Sequence, residues 1–209
     1  MKSALFSLLL ILLNCMVCYS QNISIKLHSM EGYGTHTEFA RKAITALETV
    51  LNSTEFKDGI KSMQAERTKG FSPEKLYEVI MKAHEENIPK EGIATDGVVD
   101  LWVRTLDVNG KDAKWKKYCE KPSIFGNQTI GIDGAGDGVM AICPSALDYW
   151  ASTNDIAALA GDYAHEYMHI LGFDHYRFMS SQSWREKTFV YKVGFLVRDL
   201  VKEMNSTNP

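Results

Sequence analysis

The stretch His165-Glu166-Tyr167-Met168-His169-Ile170-Leu171-Gly172-Phe173-Asp174-His175 carries both the chemistry and the key to the fold. On a helix, residues four apart lie about 40° from each other, one turn along. His165 and His169 therefore present two imidazoles that one tetrahedral zinc ion reaches at about 2.0–2.1 Å each. Glu166 stands roughly 60° from His169, beside such an ion and not beneath it. There a carboxylate can take a proton from a bound water without displacing it. Gly172 is a natural helix stop and lets the chain turn back. His175, three residues on, returns as the third ligand candidate. Asp174 and Glu186 are the carboxylate alternatives; imidazole is the stronger partner for zinc, and in an extended turn Asp174 points the other way.

The helix around this window is expected over about 153–171, with Ser152-Thr153-Asn154-Asp155 as its capping box. Ile156, Leu159, Ala160, Tyr163, Tyr167, Ile170 and Leu171 fall opposite the histidines, so the ligand face looks into a cleft. Asp162, one turn before Glu166, either orients His165 or is solvated; solvation is the preferred reading. The bland alternative for the whole window is chance histidines on a solvated face. Three of the 6 histidines fall within it, however. A Gly and a His at those two offsets beyond HExxH arise by chance roughly once in 500.

Outward from the window, the chain reads as mixed strands and helices followed by a helical C-terminal third, an α+β pattern. Ile23, Ile25 and Leu27 alternate as an opening strand. Thr35 to Glu38 forms a capping box before a stripe of Phe39, Ala43, Ile44, Leu47, Val50 and Leu51. Ser72-Pro73 starts a second helix carrying Leu76, Val79, Ile80 and Ala83. Val99, Leu101 and Val103 alternate as a strand, and Asn109-Gly110 predicts a hairpin turn. Short β-like runs at Thr129–Ile132 and Val139–Ile142 flank a Gly/Asp turn. That turn fails the calcium-loop pattern, since Ala135 holds one ligand position and Pro144 the place of the final Glu. The last helix is expected over about 185–204.

Met1-Lys2 followed by the apolar run Leu5–Leu13 and the small Ser20 reads as a signal peptide over 1–20, too short to span a bilayer. Residues 21–209 are then a single catalytic domain, and no later apolar run is long enough for a membrane span. No segment between the leader and the first strand has room for a pro-domain, so a conventional latency segment is not expected. Cys15 and Cys18 depart with the leader. Cys119 and Cys143 remain, and a disulfide between them is favoured over zinc ligation; it would contribute about 3–4 kcal/mol. Sequons at Asn22, Asn52, Asn127 and Asn205 suit a glycosylating secretory route. The 209 residues are 45% hydrophobic and 23% charged, which excludes intrinsic disorder. With a net charge of −3 and no Lys/Arg stripe, nucleic acid is excluded as the main partner.

The window matches the extended signature HExxHxxGxxH and so resembles the metzincin clan of zinc metallopeptidases. Strict identity covers 165–175; looser agreement in element order extends over most of the mature chain. The resemblance implies a zincin-like α+β domain: a small twisted mixed sheet, a backing helix, the active-site helix and a C-terminal helix around a cleft. It implies one catalytic Zn²⁺ on His165, His169 and His175, with Glu166 as general base. It also implies an edge strand that pairs with extended substrate, for which Gly138, Val139, Met140, Ala141 and Ile142 are the candidates. Met179 is the candidate for the family's methionine turn, four residues after His175; a core methionine is the alternative. No Met-x-Tyr follows it, and no subfamily is assigned. Tyr191 is either an oxyanion stabiliser or a core aromatic. The expectation is thus a secreted, monomeric zinc metalloendopeptidase acting on polypeptide. Its rivals are a non-catalytic secreted zinc-binding module and a zinc hydrolase of a non-protein substrate such as peptidoglycan cross-links.

Overall fold

The computed structural model describes residues 22–86, 94–119, 131–133, 138–175 and 182–207. Residues 1–20, where a signal peptide is expected, Met179 and Asn127 lie outside them. Strand β1 (Ser24–Glu31) leads through a 3₁₀ turn (Gly34–His36) into helices α1 (Thr37–Leu51), α2 (Thr54–Ser62) and α3 (Pro73–Met81). A two-residue pair, β2 (His84–Glu85) and β3 (Ala94–Thr95), precedes β4 (Val98–Thr105) and the short α4 (Lys116–Cys119). Then come β5 (Gly131–Asp133), β6 (Val139–Ile142), α5 (Pro144–Ser152), α6 (Ile156–Ile170), α7 (Gln182–Arg185) and α8 (Phe189–Thr207). The architecture is mixed, with a small sheet and many helices, as the α+β expectation requires. Among the described residues no helix is long and apolar enough to cross a membrane.

The four-stranded sheet runs β1-β4-β6-β5, with β1, β4 and β6 parallel and β5 antiparallel to β6. Val99, Leu101 and Val103 are wholly buried, and Asp100 on the other face is only 4% exposed. A parallel strand between two neighbours is covered on both faces, so alternation alone understates its burial. The register of β1 against β4 slips at His28, which stacks on Trp102 at 4.0 Å and pairs with Asp100. The expected edge strand is corrected here. Val139–Ile142 is paired on both sides, to β4 and to β5, and Gly138 precedes it. The short β5 takes the antiparallel edge.

The helices follow their apolar stripes. α1 buries Ala40, Ala43, Ile44, Leu47, Val50 and Leu51, and α8 buries Val190, Val193, Val197 and Val201. Ser72 caps α3 by accepting from Lys75 N (3.3 Å), with Pro73 at the first helical position as expected. Other boundaries depart from the sequence reading. The Thr35–Glu38 capping box does not form. Tyr33 is pinned in the core and accepts from the Tyr163 hydroxyl (2.9 Å), Gly34 turns at φ +52°, and α1 begins at Thr37 without a side-chain cap. Asn109-Gly110 makes a tight turn but no hairpin. Asp112 draws the chain inward by accepting from Asp107 N (2.9 Å) and both Arg104 Nη atoms (2.5 and 3.2 Å). The helix expected over about 153–171 forms as one helix from Ile156, capped by Asp155, which accepts from Ala158 N (3.0 Å); Asn154 at φ +52° separates it from α5, which the sequence reading does not anticipate. The final helix, expected over about 185–204, is divided into α7 and α8. Glu66 bridges Thr188, accepting from Phe189 N and donating to Lys187 O, both at 2.9 Å.

Cys119 and Cys143 lie at bonding distance, Sγ–Sγ 2.01 Å, and tie α4 to the residue before α5. They pack with Leu106 and Ala141 in a small cluster separate from the main core.

Candidate metal centre

α6 is buried almost all round, including Leu159, Tyr163, Tyr167 and Ile170, while His165 and His169 stay half-buried on its remaining stripe. It ends in a Schellman turn: Phe173 N–H donates to Met168 O and Gly172 N–H to His169 O, each at 2.9 Å, with Gly172 at φ +77°. This reversal brings His175 back over the helix. The ring centroids of His165, His169 and His175 stand 5.2, 5.8 and 5.0 Å apart pairwise. One ligand nitrogen from each lies within 4.8 Å of the others. A tetrahedral zinc site spaces its donors about 3.4 Å apart, so small side-chain rotations close the set. Among the described residues this is the one group of three potential ligands so placed; Asp174 and Glu186 do not join it.

Two features suit these imidazoles to a metal. Burial holds His165 well below its ordinary pKa, with His169 and His175 adding to the effect, so its ring is the neutral, ligating form. His169 Nδ1 donates to the Phe173 carbonyl at 2.8 Å, which leaves Nε2 as the lone-pair nitrogen. Asp174 instead turns its carboxylate back onto the His175 N–H (2.8 Å) and braces the return. Three imidazole nitrogens are a donor set that suits a zinc ion.

Glu166 is buried, and its Oε1 stands 3.7 Å from His165 Nε2, beside the ligand cluster. Tyr191, on α8, is brought to the centre: its ring is 4.5 Å from that of His165 and 5.5 Å from that of His175. Burial raises its pKa, Arg185 pulls the other way, and Glu166 and Asp162 add to the rise. Asp162 is not solvated. It is 7% exposed, and burial pushes its carboxyl up to about 7.

Four residues escaped sequence reasoning. Phe173 acts through its carbonyl, which the Gly172 stop could have suggested. Gly161 and Gly194 let α6 and α8 touch: a Cβ at Gly194 would stand 2.9 Å from Gly161 O and 3.2 Å from His165 Cβ. A glycine inside each of two long helices was the available signal. Arg185 had none.

Comparison of the chain with protein-family models, with curated proteins and with solved structures returns no match.

Proposed function

We propose that the chain is a secreted zinc-dependent metalloendopeptidase with a zincin-like, metzincin-type catalytic domain. The observation that carries the reading is the convergence of His165, His169 and His175 with Glu166 buried next to them. The small mixed sheet with an antiparallel edge strand, and the active-site helix ending in a glycine turn, support the same class.

A bound zinc ion would supply Lewis acidity and a water of pKa near ~7. The chain's own residues then divide the work. His165, His169 and His175 hold the ion, and the Phe173 carbonyl keeps His169 in one tautomer. Glu166 accepts the proton of the attacking water and passes it to the departing amine as the peptide bond breaks. The Tyr191 hydroxyl, held protonated by burial, can donate to the oxyanion that develops on the scissile carbonyl.

Glu166→Ala should retain about one zinc per chain and lose at least a hundredfold in peptidase rate, since general base catalysis contributes about 10²–10⁴-fold. Metal analysis together with a proteome digest, run with and without chelator and read by mass spectrometry, tests this. Undiminished, chelator-sensitive cleavage by the mutant would remove Glu166 from the role. Cleavage of peptidoglycan fragments but of no peptide would favour the non-protein hydrolase.

A further inference from the structure

A cavity of about 270 Å³ lies between α3, the β2–β3 pair and the turn that ends α6, and none of the candidate metal ligands lines it. Phe71, Val79 and Leu171 give it an apolar lining. Phe71 is one of two large apolar side chains exposed among the described residues, and its ring meets Phe173 only edge-on. A lone exposed apolar side chain is ordinary; one set beside an apolar hollow enlarges the area that a partner would cover. Three of the four non-glycine residues with positive φ among the described residues also gather here. Lys69 at +56° lines the cavity, Ala83 at +46° falls between the lining residues Lys82 and His84, and Arg67 at +61° lies two before Lys69. Backbone strain of this kind clusters at ligand clamps.

The charges around the cavity do not balance. Lys69, Lys75 and Lys82 stand against Glu78 and Glu86. Lys69 is committed to Glu86 (2.9 Å) and to the face of Phe173 (5.3 Å). Lys75 and Lys82, both about half exposed, donate to the single Glu78 carboxylate at 3.1 and 2.6 Å. One positive charge is therefore left over, on a chain whose net charge is −3. Each ammonium carries three donors, so engaging Glu78 does not exhaust either lysine.

We propose that this cavity is a polypeptide-docking site, distinct from the candidate metal centre, that takes one large apolar side chain and the carboxylate of an acidic neighbour. The apolar side chain fills the hollow against Phe71, Val79 and Leu171. The carboxylate completes the Lys75–Glu78–Lys82 group, so that two anions meet two cations. Size favours a side chain over a larger ligand, since small-molecule pockets run from about 300 to 1,000 Å³. Docking needs neither metal nor Glu166 and so stands apart from the peptidase reading. On that reading the docked chain would be held beside the cleft, Leu171 being two residues from His169.

Fluorescence anisotropy tests this with four labelled peptides, blocked at both ends, whose cores are Glu-Phe-Glu, Gln-Phe-Gln, Glu-Ala-Glu and Gln-Ala-Gln. The full chain carrying Glu166→Ala is the receptor, so that no peptide is consumed. Glu-Phe-Glu should bind tightest. Exchanging its Phe for Ala should weaken binding about tenfold. Exchanging Glu for Gln should weaken it about two- to fivefold at low salt, a difference that vanishes near ~1 M salt. Lys75→Gln and Lys82→Gln should each erase most of the preference for Glu, and together they should reverse it by leaving the Glu78 charge alone. Phe71→Ala should cut the preference for Phe to about threefold or less. Circular dichroism verifies folding, and the exposed lysine variants carry the test if Phe71→Ala does not fold. A chelator should change none of these affinities. Equal affinity for all four peptides, or none, overturns the proposal. So does binding that the chelator abolishes and the lysine and Phe71 variants leave unchanged, which would assign the peptides to the metal centre. Anionic lipid vesicles that bind through Lys75 and Lys82 while no peptide does would overturn it in favour of a membrane surface.

Discussion

Replacing Gly161 with alanine tests whether the close contact of α6 and α8 holds the centre together. A methyl group at that position would stand 2.7 Å from the Gly194 carbonyl oxygen and 2.9 Å from Arg198 Cβ, against 3.4 Å for ordinary contact. The helices must therefore separate by about 0.7 Å, because backbone and Cβ atoms cannot swing aside as a side-chain tip can. Two opposing effects set the magnitude. Alanine in place of a helical glycine gains about 0.8–1.0 kcal/mol from propensity. An extra methyl forced into a packed contact costs about 1–3 kcal/mol. With two immovable neighbours the cost falls in the upper half of that range, so the net loss is about 1–2 kcal/mol.

Urea unfolding followed by circular dichroism measures this as a lower midpoint with unchanged slope. Gly59→Ala is the internal control. It also sits in a helix, but its new methyl would meet only the Cδ and Cγ atoms of Leu196. Since that side chain can turn away, propensity should win and the variant should match or exceed wild type. His165 lies one turn beyond Gly161 on α6, whereas Tyr191 belongs to α8. Separating the helices thus moves the histidines together away from Tyr191, and peptidase rate should fall in Gly161→Ala and not in Gly59→Ala, with zinc affinity by chelator competition close to wild type in both. A Gly161→Ala midpoint at or above wild type would refute the steric argument outright.

Other expectations follow from single contacts. Chelator competition on His175→Ala should show zinc affinity lowered by orders of magnitude, with Asp174→Ala and Glu186→Gln near wild type; zinc lost by Glu186→Gln and kept by His175→Ala would reverse the ligand assignment. The hydrogen bond from Arg104 holds the Asp112 carboxyl below its ordinary pKa. Its stabilisation is present above the unfolded value of about 3.9 and disappears as pH falls through the folded one. The stability gap between wild type and Asp112→Asn in urea titrations should accordingly be full at pH 7 and shrink below about pH 4; a gap that does not change with pH excludes the ion pair as its source. Asn52→Ala should lose about 1–2 kcal/mol, since the Asn52 amide accepts from Ile23 N (2.9 Å) and donates to Ile23 O (2.8 Å). A wild-type midpoint for that variant would show that the clasp between β1 and the end of α1 is idle.

What could be read from sequence was whatever depends on neighbours in the chain. The α1 stripe, the Ser72-Pro73 start and the alternation of Val99, Leu101 and Val103 are periodic and local, and they hold. The three histidines expected as ligands also come together, because an i, i+4 pair, a glycine stop and a third histidine are all local geometry. Boundaries failed where a distant partner overrides local chemistry. Glu66 divides the C-terminal helix from well over a hundred residues away. Arg104 and Asp112 convert a strong hairpin signal into a folded-back loop. Asp162 was misplaced because charge argues for solvent, whereas α6 leaves little of its surface to solvent. The edge assignment of Val139–Ile142 failed because the run read at Thr129–Ile132 gave no sign of its partner, and Gly131–Asp133 pairs antiparallel on the outside of Val139–Ile142.

The end of α6 joins stability to chemistry more tightly than a list of ligands suggests. The Phe173 carbonyl that fixes His169 is itself fixed from several sides. Its N–H closes the Schellman turn, its ring packs at 4.7 Å on Phe189 of α8, and Phe71 meets it edge-on at 6.3 Å. Lys69 Nζ lies 5.3 Å above the same ring while donating to Glu86 Oε1 at 2.9 Å. Gly172 is where these constraints meet, since any side chain there would be strained at φ +77° and would also displace the tips of Glu86 and Lys69. The glycine within the motif therefore does more than stop a helix. It admits the Lys69–Glu86 clamp against the turn, the clamp and Phe189 hold Phe173, and its carbonyl engages His169 Nδ1 and leaves Nε2 free of it. Any residue but glycine at 172 would strain the turn and shift the Phe173 carbonyl that holds His169, so on the proposed metallopeptidase reading folding and metal binding would select the same residue.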